Sequence, residues 1–363
     1  AELAERFSGG LFFQHFEEQV RFNMPALYSR QVNRFLNYEW LGGYVNSHQD
    51  NLRDDHLTIE TLLRNQPRLT PEDFETIKNS QMARHWVDGY SVLHDKTVKV
   101  PLNFIAYINA SNGMAAGNTL EEALIQAACE VFERHTQIQI IKPEKSVPSI
   151  DKASLENSRL KSMITFYENE NVEIILKDLS MEERFPSIGV LFINHNLRPG
   201  RLEHKILVPG VSFNTDEALS RCLTEVMQGR NTLKVPSPAF DRPVSHRSRV
   251  ENLYLLFKCC ISQKDISFLE KGDTIAYRAS RSENIFSEIE AVKKLCHALE
   301  TDLIVLDLTH PVLKFPVVRV VLPGISDFLP FVYEDILTSI NTNPDSTWRG
   351  EHFKSVMDSF FDS

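Results

Sequence analysis

The chain has 363 residues, 42% hydrophobic and 24% charged, enough for one large or two medium cores of an ordinary globular protein. Its formal net charge of −10, with no block of Lys or Arg, excludes a broad electrostatic surface for nucleic acid or for an acidic membrane. No apolar run approaches the roughly 18 residues that span a bilayer, and the five cysteines form neither a C-x-x-C pair nor a zinc-spaced cluster, so a reducing cytoplasm is the expected compartment.

The chain opens at helical density with Ala1-Glu2-Leu3-Ala4-Glu5-Arg6-Phe7 and no capping residue ahead, so part of an N-terminal region is expected to be missing. Residues 1–40 read as helix, broken near Asn23 to Pro25 and closed at Gly42-Gly43. Residues 46–85 are polar, carry Pro67 and Pro71, and read as a surface insertion of short helices. From Trp86 to Ile108 the pattern turns to strands, with Val92-Leu93 and Val98 to Leu102 flanking a turn at His94-Asp95-Lys96. A glycine-containing loop, Ser111 to Asn118, leads into a helix from Thr119 to about Ile141. Further strands are predicted at 172–177, 188–194, 205–213, 303–307 and 316–322, with helices at 153–169, 216–233, 250–262 and 283–299. The fold class is mixed α/β, in a single domain.

One segment recurs. Asn118-Thr119, Glu122-Ala123-Leu124 and Glu130-Val131 return as Asn214-Thr215, Glu217-Ala218-Leu219 and Glu225-Val226, each copy after a predicted strand. A clipped third copy, Glu2-Leu3-Ala4-Glu5-Arg6, matches Glu130-Val131-Phe132-Glu133-Arg134.

At 100° per residue, Glu122, Gln126, Glu130 and Glu133 fall within an arc of roughly 80° on one helix face, opposite Leu124, Ala128, Val131, Phe132 and Ile138. The second copy sets Glu217, Arg221, Glu225 and Gln228 on the same template, and Glu2 with Glu5 has the same i, i+3 spacing. Like charges so spaced repel, and Mg²⁺, a hard cation held by a few carboxylates and by nucleotide phosphates, would relieve that repulsion. Arg6, Arg134 and Arg230 lie just beyond the acidic residues, where they would meet phosphate oxygens, and the loop at 111–118 would offer N–H groups to an anion. The plainer reading also stands: Glu2 with Arg6 and Glu130 with Arg134 are i, i+4 ion pairs, and Thr119-x-x-Glu122 is a capping box.

Ser111-Asn112-Gly113-Met114-Ala115-Ala116-Gly117-Asn118-Thr119, with Glu122-Ala123 and Glu130-Val131-Phe132-Glu133-Arg134, resembles the central signature of the YcaO family. Glu2 to Arg6 resembles the end of that family's preceding motif, Glu225-Val226-Met227-Gln228-Gly229-Arg230 its third, and Arg319 to Gly324 the segment that closes the domain. The resemblance implies a YcaO-type fold of duplicated strand-loop-helix units around a central ATP site, without a Walker loop or kinase motifs, and neither occurs here. It implies Glu2, Glu5, Glu130 and Glu133 as Mg²⁺ ligands, and Arg6, Ala115, Asn118, Glu122, Arg134, Gln228 and Arg230 along the nucleotide. Ala115 stands where relatives often have serine, which removes a hydroxyl contact, and the family's N-terminal nucleotide contacts have no counterpart.

Relatives use ATP to phosphorylate a backbone amide oxygen and so form azolines, thioamides or amidines. The ending Met357 to Ser363 lacks the proline-rich tail of azoline-forming members. The signature is most similar to stand-alone members linked to RimO-dependent β-methylthiolation of a ribosomal protein, although no C-terminal helical-repeat region follows. The implied partners are a peptide or protein substrate and a RimO-like methylthiotransferase, and a homodimer is expected.

His135, His204, His297 and His310 share neither a face nor a metal spacing and read as structural. Cys129 reads as a small core thiol, Phe12, Phe13, Phe16 and Phe22 as core or dimer surface, and Asp302 and Asp307 as strand ends. Two functional classes remain: an ATP-dependent enzyme acting on an amide or carboxylate, and a non-catalytic accessory protein stabilised by ATP. A di-metal carboxylate oxidase would need E-x-x-H motifs, which are absent.

Overall fold

The computed structural model describes residues 45–46, 55–65, 69–79, 85–109, 112–141, 143–182, 184–199, 204–226, 266–309 and 314–326. The chain divides into two compact units, Ala1–Val131 with Ile285–Ser363, and Phe132–Asn284. The division falls within one continuous helix.

The first unit is built on a six-stranded antiparallel sheet. Strand β2 (His85–Ser91) pairs along one edge with β3 (Lys96–Pro101). Its other edge meets β1 (Val45–Asn46) and then β10 (Ile304–Asp307), followed by β11 (Val317–Val321) and β4 (Met114–Ala116). The β2–β3 hairpin turns at residues 92–95, where Asp95 takes φ 49° and the Ser91 hydroxyl accepts the His94 N–H at 3.2 Å. Helices α1 (Ile59–Leu62) and α2 (Pro71–Lys78) precede the hairpin, and Thr70 with Asp73 forms a full capping box on α2. Ile59, Leu62, Leu63 and Ile77 are buried, so the stretch expected as a surface insertion contributes to the core as well.

After Pro101 the chain turns into α3 (Leu102–Asn109), not into more strand. Leu102, Ile105, Ile108 and Asn109 are buried, the i, i+3 spacing of a helix face. A short apolar run rich in aromatic and β-branched residues does not reveal its period, which is why it reads as strand in isolation.

The second unit holds a five-stranded sheet ordered β8 (Lys205–Val211), β7 (Ser187–Asn194), β6 (Val172–Asp178), β5 (Ser149–Asp151) and β9 (Thr274–Ala276). All pairs are antiparallel except β5 with β9. Every residue of β7 is buried, which requires cover on both faces. On one face Ile188, Val190 and Phe192 join Leu160, Ile164 and Tyr167 of α5 (Ser158–Asn169) and Ala218, Leu219, Cys222 and Leu223 of α6 (Thr215–Glu225). On the other, Leu191 and Ile193 join Ile140, Val147, Ile266 and Leu269. Each Val, Leu, Ile or Phe among them contributes about 1.5–3 kcal/mol through burial. Gly210 admits α6 against β8: a Cβ there would stand 2.6 Å from the Ala218 carbonyl oxygen.

The repeat is real in three dimensions, as β4 leads into α4 (Leu120–Ile141) and β8 into α6. The predicted strands at 172–177, 188–194, 205–213, 303–307 and 316–322 agree within two residues, and the helix predicted at 283–299 is α7 (Ile285–Ala298). The short strands β4, β5 and β9 carry too few residues for a period to show. The predicted helix at 250–262 and the first forty residues lie outside the described residues.

Lys177, on β6, is fully buried, and its Nζ donates to Ser149 Oγ at 2.9 Å and to the Lys271 carbonyl at 3.0 Å. Neither partner is charged, so burial pulls its pKa from 10.5 down to about 8. The unfolded chain therefore binds more protons between those values, and stability rises with pH across that window. Lys177→Met should melt higher than the parent at pH 7, by roughly 1–2 kcal/mol once the two abandoned acceptors are counted. The difference should shrink from pH 8 to pH 10; thermal melts showing no narrowing would refute the charged, desolvated lysine.

Candidate functional site

The helix α4 spans 22 residues and is buried on most sides: Ala123, Ala127, Ala128, Val131, Phe132 and Ile140 have no exposure. Cys129 is a core thiol at 4% exposure. Glu121 is exposed, but Glu130 and Glu133, farther along, are only partly exposed and do not form an ordinary solvated face. Glu133 and Arg134 each keep only 14% side-chain exposure and lie 3.3 Å apart, Oε1 to Nη1.

At the start of α4 one half of the predicted capping box is present, the bond to Thr119, while the Glu122 side chain reaches past Thr119 to Asn118. The Glu122 N–H donates to Thr119 Oγ1 at 3.2 Å, while the Glu122 carboxylate accepts from the Asn118 backbone N–H and from Asn118 Nδ2, both at 2.8 Å. Two expected nucleotide residues, Asn118 and Glu122, are thus brought together. The second copy does the same by other means, as Asn214 caps α6 through Asp216 N–H at 3.2 Å and Glu217 accepts from the Ser212 hydroxyl at 3.0 Å. Asp216, also at that end, accepts from Tyr277 and Asn157, and these bonds with nearby Arg281 hold its carboxyl below the usual range.

Glu130 is oriented by the backbone. Its Oε2 accepts the Gly113 N–H at 3.2 Å, and Gly113 sits at φ 78°. A Cβ on Gly113 would stand 2.4 Å from the Val320 carbonyl oxygen, so only glycine allows this approach. Ala115, one of the expected nucleotide residues, is buried in β4 with its Cα opposite Val318. The neighbouring register pair is Met114 with Arg319, a cation at 4% exposure whose Nη2 donates to the Met114 sulfur.

Among the described residues of the loop, four N–H groups expected to serve an anion are already taken. Asn112 N–H goes to the Asn109 carbonyl, Gly113 N–H to Glu130, Gly117 N–H to the Pro316 carbonyl and Asn118 N–H to Glu122. Residues 114–116 are strand. Carboxylates of the protein take donors that a ligand anion would need.

Glu2, Glu5, Arg6, Gln228 and Arg230 lie outside the described residues. Among the described residues no group of three or more His, Cys, Asp or Glu gathers for a metal ion. Glu130 and Glu133, at i, i+3 on one partly enclosed face, still fit Mg²⁺ in donor chemistry, since that ion takes one or two carboxylates and completes its shell with water and phosphate oxygen. Among the described residues no histidine joins such a set. His135 is held neutral near pKa 4 by burial and by Arg184, and His204 bonds the Asn194 carbonyl at 3.0 Å.

Gly113 and Arg319 stand in the quoted signature segments with no role assigned to them, and Gln137 escapes a motif-level reading altogether. A lone arginine inside the apolar run Val317–Val321 was the visible signal for Arg319. Gln137 had none: it is 1% exposed, and neither amide atom has a hydrogen-bond partner.

Comparisons with known proteins bear on this geometry. Residues 1–326 match the family described as YcaO cyclodehydratase, ATP- and Mg²⁺-binding. An uncharacterised protein of Haemophilus influenzae is 31% identical over 263 residues, covering 70% of this chain and 42% of its own length. The Escherichia coli ribosomal protein S12 methylthiotransferase accessory factor YcaO is 27% identical over 280 residues, covering 73% of this chain and 46% of its own. The chain thus spans less than half the length of these curated relatives. The structure of YcaO from Methanopyrus kandleri bound with AMPPCP and Mg²⁺ superposes with a TM-score of 0.55 at 21% identity, over 84% of this chain and 74% of that one. Signature, fold and family match agree, and the chain belongs to the YcaO family of ATP- and Mg²⁺-binding proteins.

Proposed function

We propose that the chain uses ATP to activate an amide or carboxylate of a peptide or protein by phosphorylation. In this reading Glu2, Glu5, Glu130 and Glu133 hold Mg²⁺, and Arg6, Ala115, Asn118, Glu122, Arg134, Gln228 and Arg230 line the nucleotide. The observation that carries it is that two part-buried carboxylates, Glu130 and Glu133, stand at i, i+3 on a helix buried around most of its circumference. Charges in such a place need compensation. Mg²⁺ bound there supplies the positive charge that offsets the phosphates and the charge developing on them.

The protein's own groups supply position. Gly113 N–H fixes the Glu130 carboxylate, and Arg134 lies within reach of a phosphate oxygen beside its present partner Glu133. The Asn118 donors now taken by Glu122 become available to ribose or phosphate oxygens once that carboxylate turns away. The E. coli relative's name supports a finer reading, assistance to a RimO-like methylthiotransferase acting on a ribosomal protein. The word accessory in that name favours a second reading, in which ATP binding only stabilises a form that the partner recognises. A cytoplasmic homodimer is the expected form. Among the described residues no helix is long and apolar enough to cross a membrane.

AMPPCP with Mg²⁺ should raise the melting temperature, by about 2.7 kcal/mol of stabilisation at one hundred times Kd. Glu130→Gln and Glu133→Gln keep the shape of the side chain and, each measured against its own nucleotide-free melt, should lose most of the Mg²⁺-dependent rise. A full shift in both variants would remove the metal role. ADP release should be measured for the protein alone and with the methylthiotransferase: turnover alone marks an enzyme, and turnover only with the partner marks an accessory factor.

A further inference from the structure

Gln137 extends the carboxylate stripe. On α4 it follows Glu130 by seven residues and Glu133 by four, which at 100° per residue sets it about 20° from Glu130, inside the arc that holds both. It is 1% exposed, and its Nε2 and Oε1 both lack a partner. Its neighbour Thr136, equally buried, is satisfied by the Glu133 carbonyl at 3.0 Å and by Ser187 Oγ at 3.3 Å. Buried polar atoms are nearly always bonded, because each unmet one forfeits its hydration. A carboxamide left wholly unmet on the acidic face is a group kept for a ligand, at the expense of stability.

The chemistry of that ligand follows from the donor pattern and the position. A neutral carboxamide presents one donor edge and one acceptor side by side, the complement of another amide. Along the helix axis Glu122 and Asn118 lie at one end, Glu130 and Glu133 in the middle, and Gln137 roughly 6 Å beyond Glu133. A nucleotide with its base and ribose toward Asn118 and its phosphates at the two glutamates would leave Gln137 past the phosphates, where the group to be phosphorylated must sit. We infer that Gln137 is a positioning residue that holds a peptide unit of the substrate against the nucleotide, an assignment that rests on the function proposed above.

The test uses N-acetylglycine N-methylamide, a minimal peptide unit, bound to the full chain loaded with AMPPCP and Mg²⁺ and followed by saturation-transfer NMR. The parent should bind it, and Gln137→Met should weaken that binding roughly fivefold or more while leaving AMPPCP affinity unchanged. Without ligands Gln137→Met should melt higher than the parent, since it removes an unmet amide from the interior. Retained binding in Gln137→Met overturns the assignment, and so does a lower melting temperature, which would mark a structural amide. Weaker AMPPCP binding would place the carboxamide on the nucleotide and also overturn it. Failure of the parent itself to bind AMPPCP would strike the proposed function instead, and this assignment with it.

Discussion

The burial of α4 holds the carboxylate stripe in place. Because Ala123, Ala127, Ala128, Val131 and Phe132 have no exposure, the helix cannot rotate about its axis without exposing apolar surface or burying charge elsewhere. The orientation of Glu122, Glu130, Glu133 and Gln137 is therefore set by packing, not by side-chain choice. Small residues dominate the flanks of the acidic face, and they let the first unit's own backbone approach, as Gly113 does beside Val131.

Mutual repulsion along such a stripe has to be met locally. In this arrangement Glu122 and Glu130 both end on backbone N–H groups of the segment that precedes α4, and Glu133 lies beside Arg134. Charge-assisted bonds of this kind are stronger than neutral ones. They also consume the donors that a glycine-bearing loop before a helix would give to phosphate. In the function proposed above, an anion at this end of α4 would have to displace the Glu122 carboxylate from the Asn118 donors.

The second unit shows what the duplicated element needs as a scaffold. Its β8–α6 pair closes one face of a sheet in which β7, the strand beside β8, is buried throughout. Gly210 on β8 allows the close approach of α6 that a larger residue would block. The first-turn glutamates of both copies, Glu122 and Glu217, turn back to the loop before their helix. The common role is local capping, so the likeness of the two copies at those positions is a folding feature before it is a functional one.

Much of this was legible in the residues themselves. Helical spacing placed Glu122, Gln126, Glu130 and Glu133 on one face, the repeat marked two strand-loop-helix units, and the ordered motifs pointed to the family, because all three are local patterns written in consecutive residues. The helix at Leu102–Asn109 was misread as strand, since a short apolar run carries no clear period until its neighbours decide which side is buried. Tertiary structure alone decided that the Gly113 and Asn118 N–H groups before α4 go to carboxylates, that Arg319 and Lys177 are buried, and that the Gln137 amide is left unmet. Those outcomes depend on which distant strands and turns come within hydrogen-bond distance, and single-chain patterns hold no record of that.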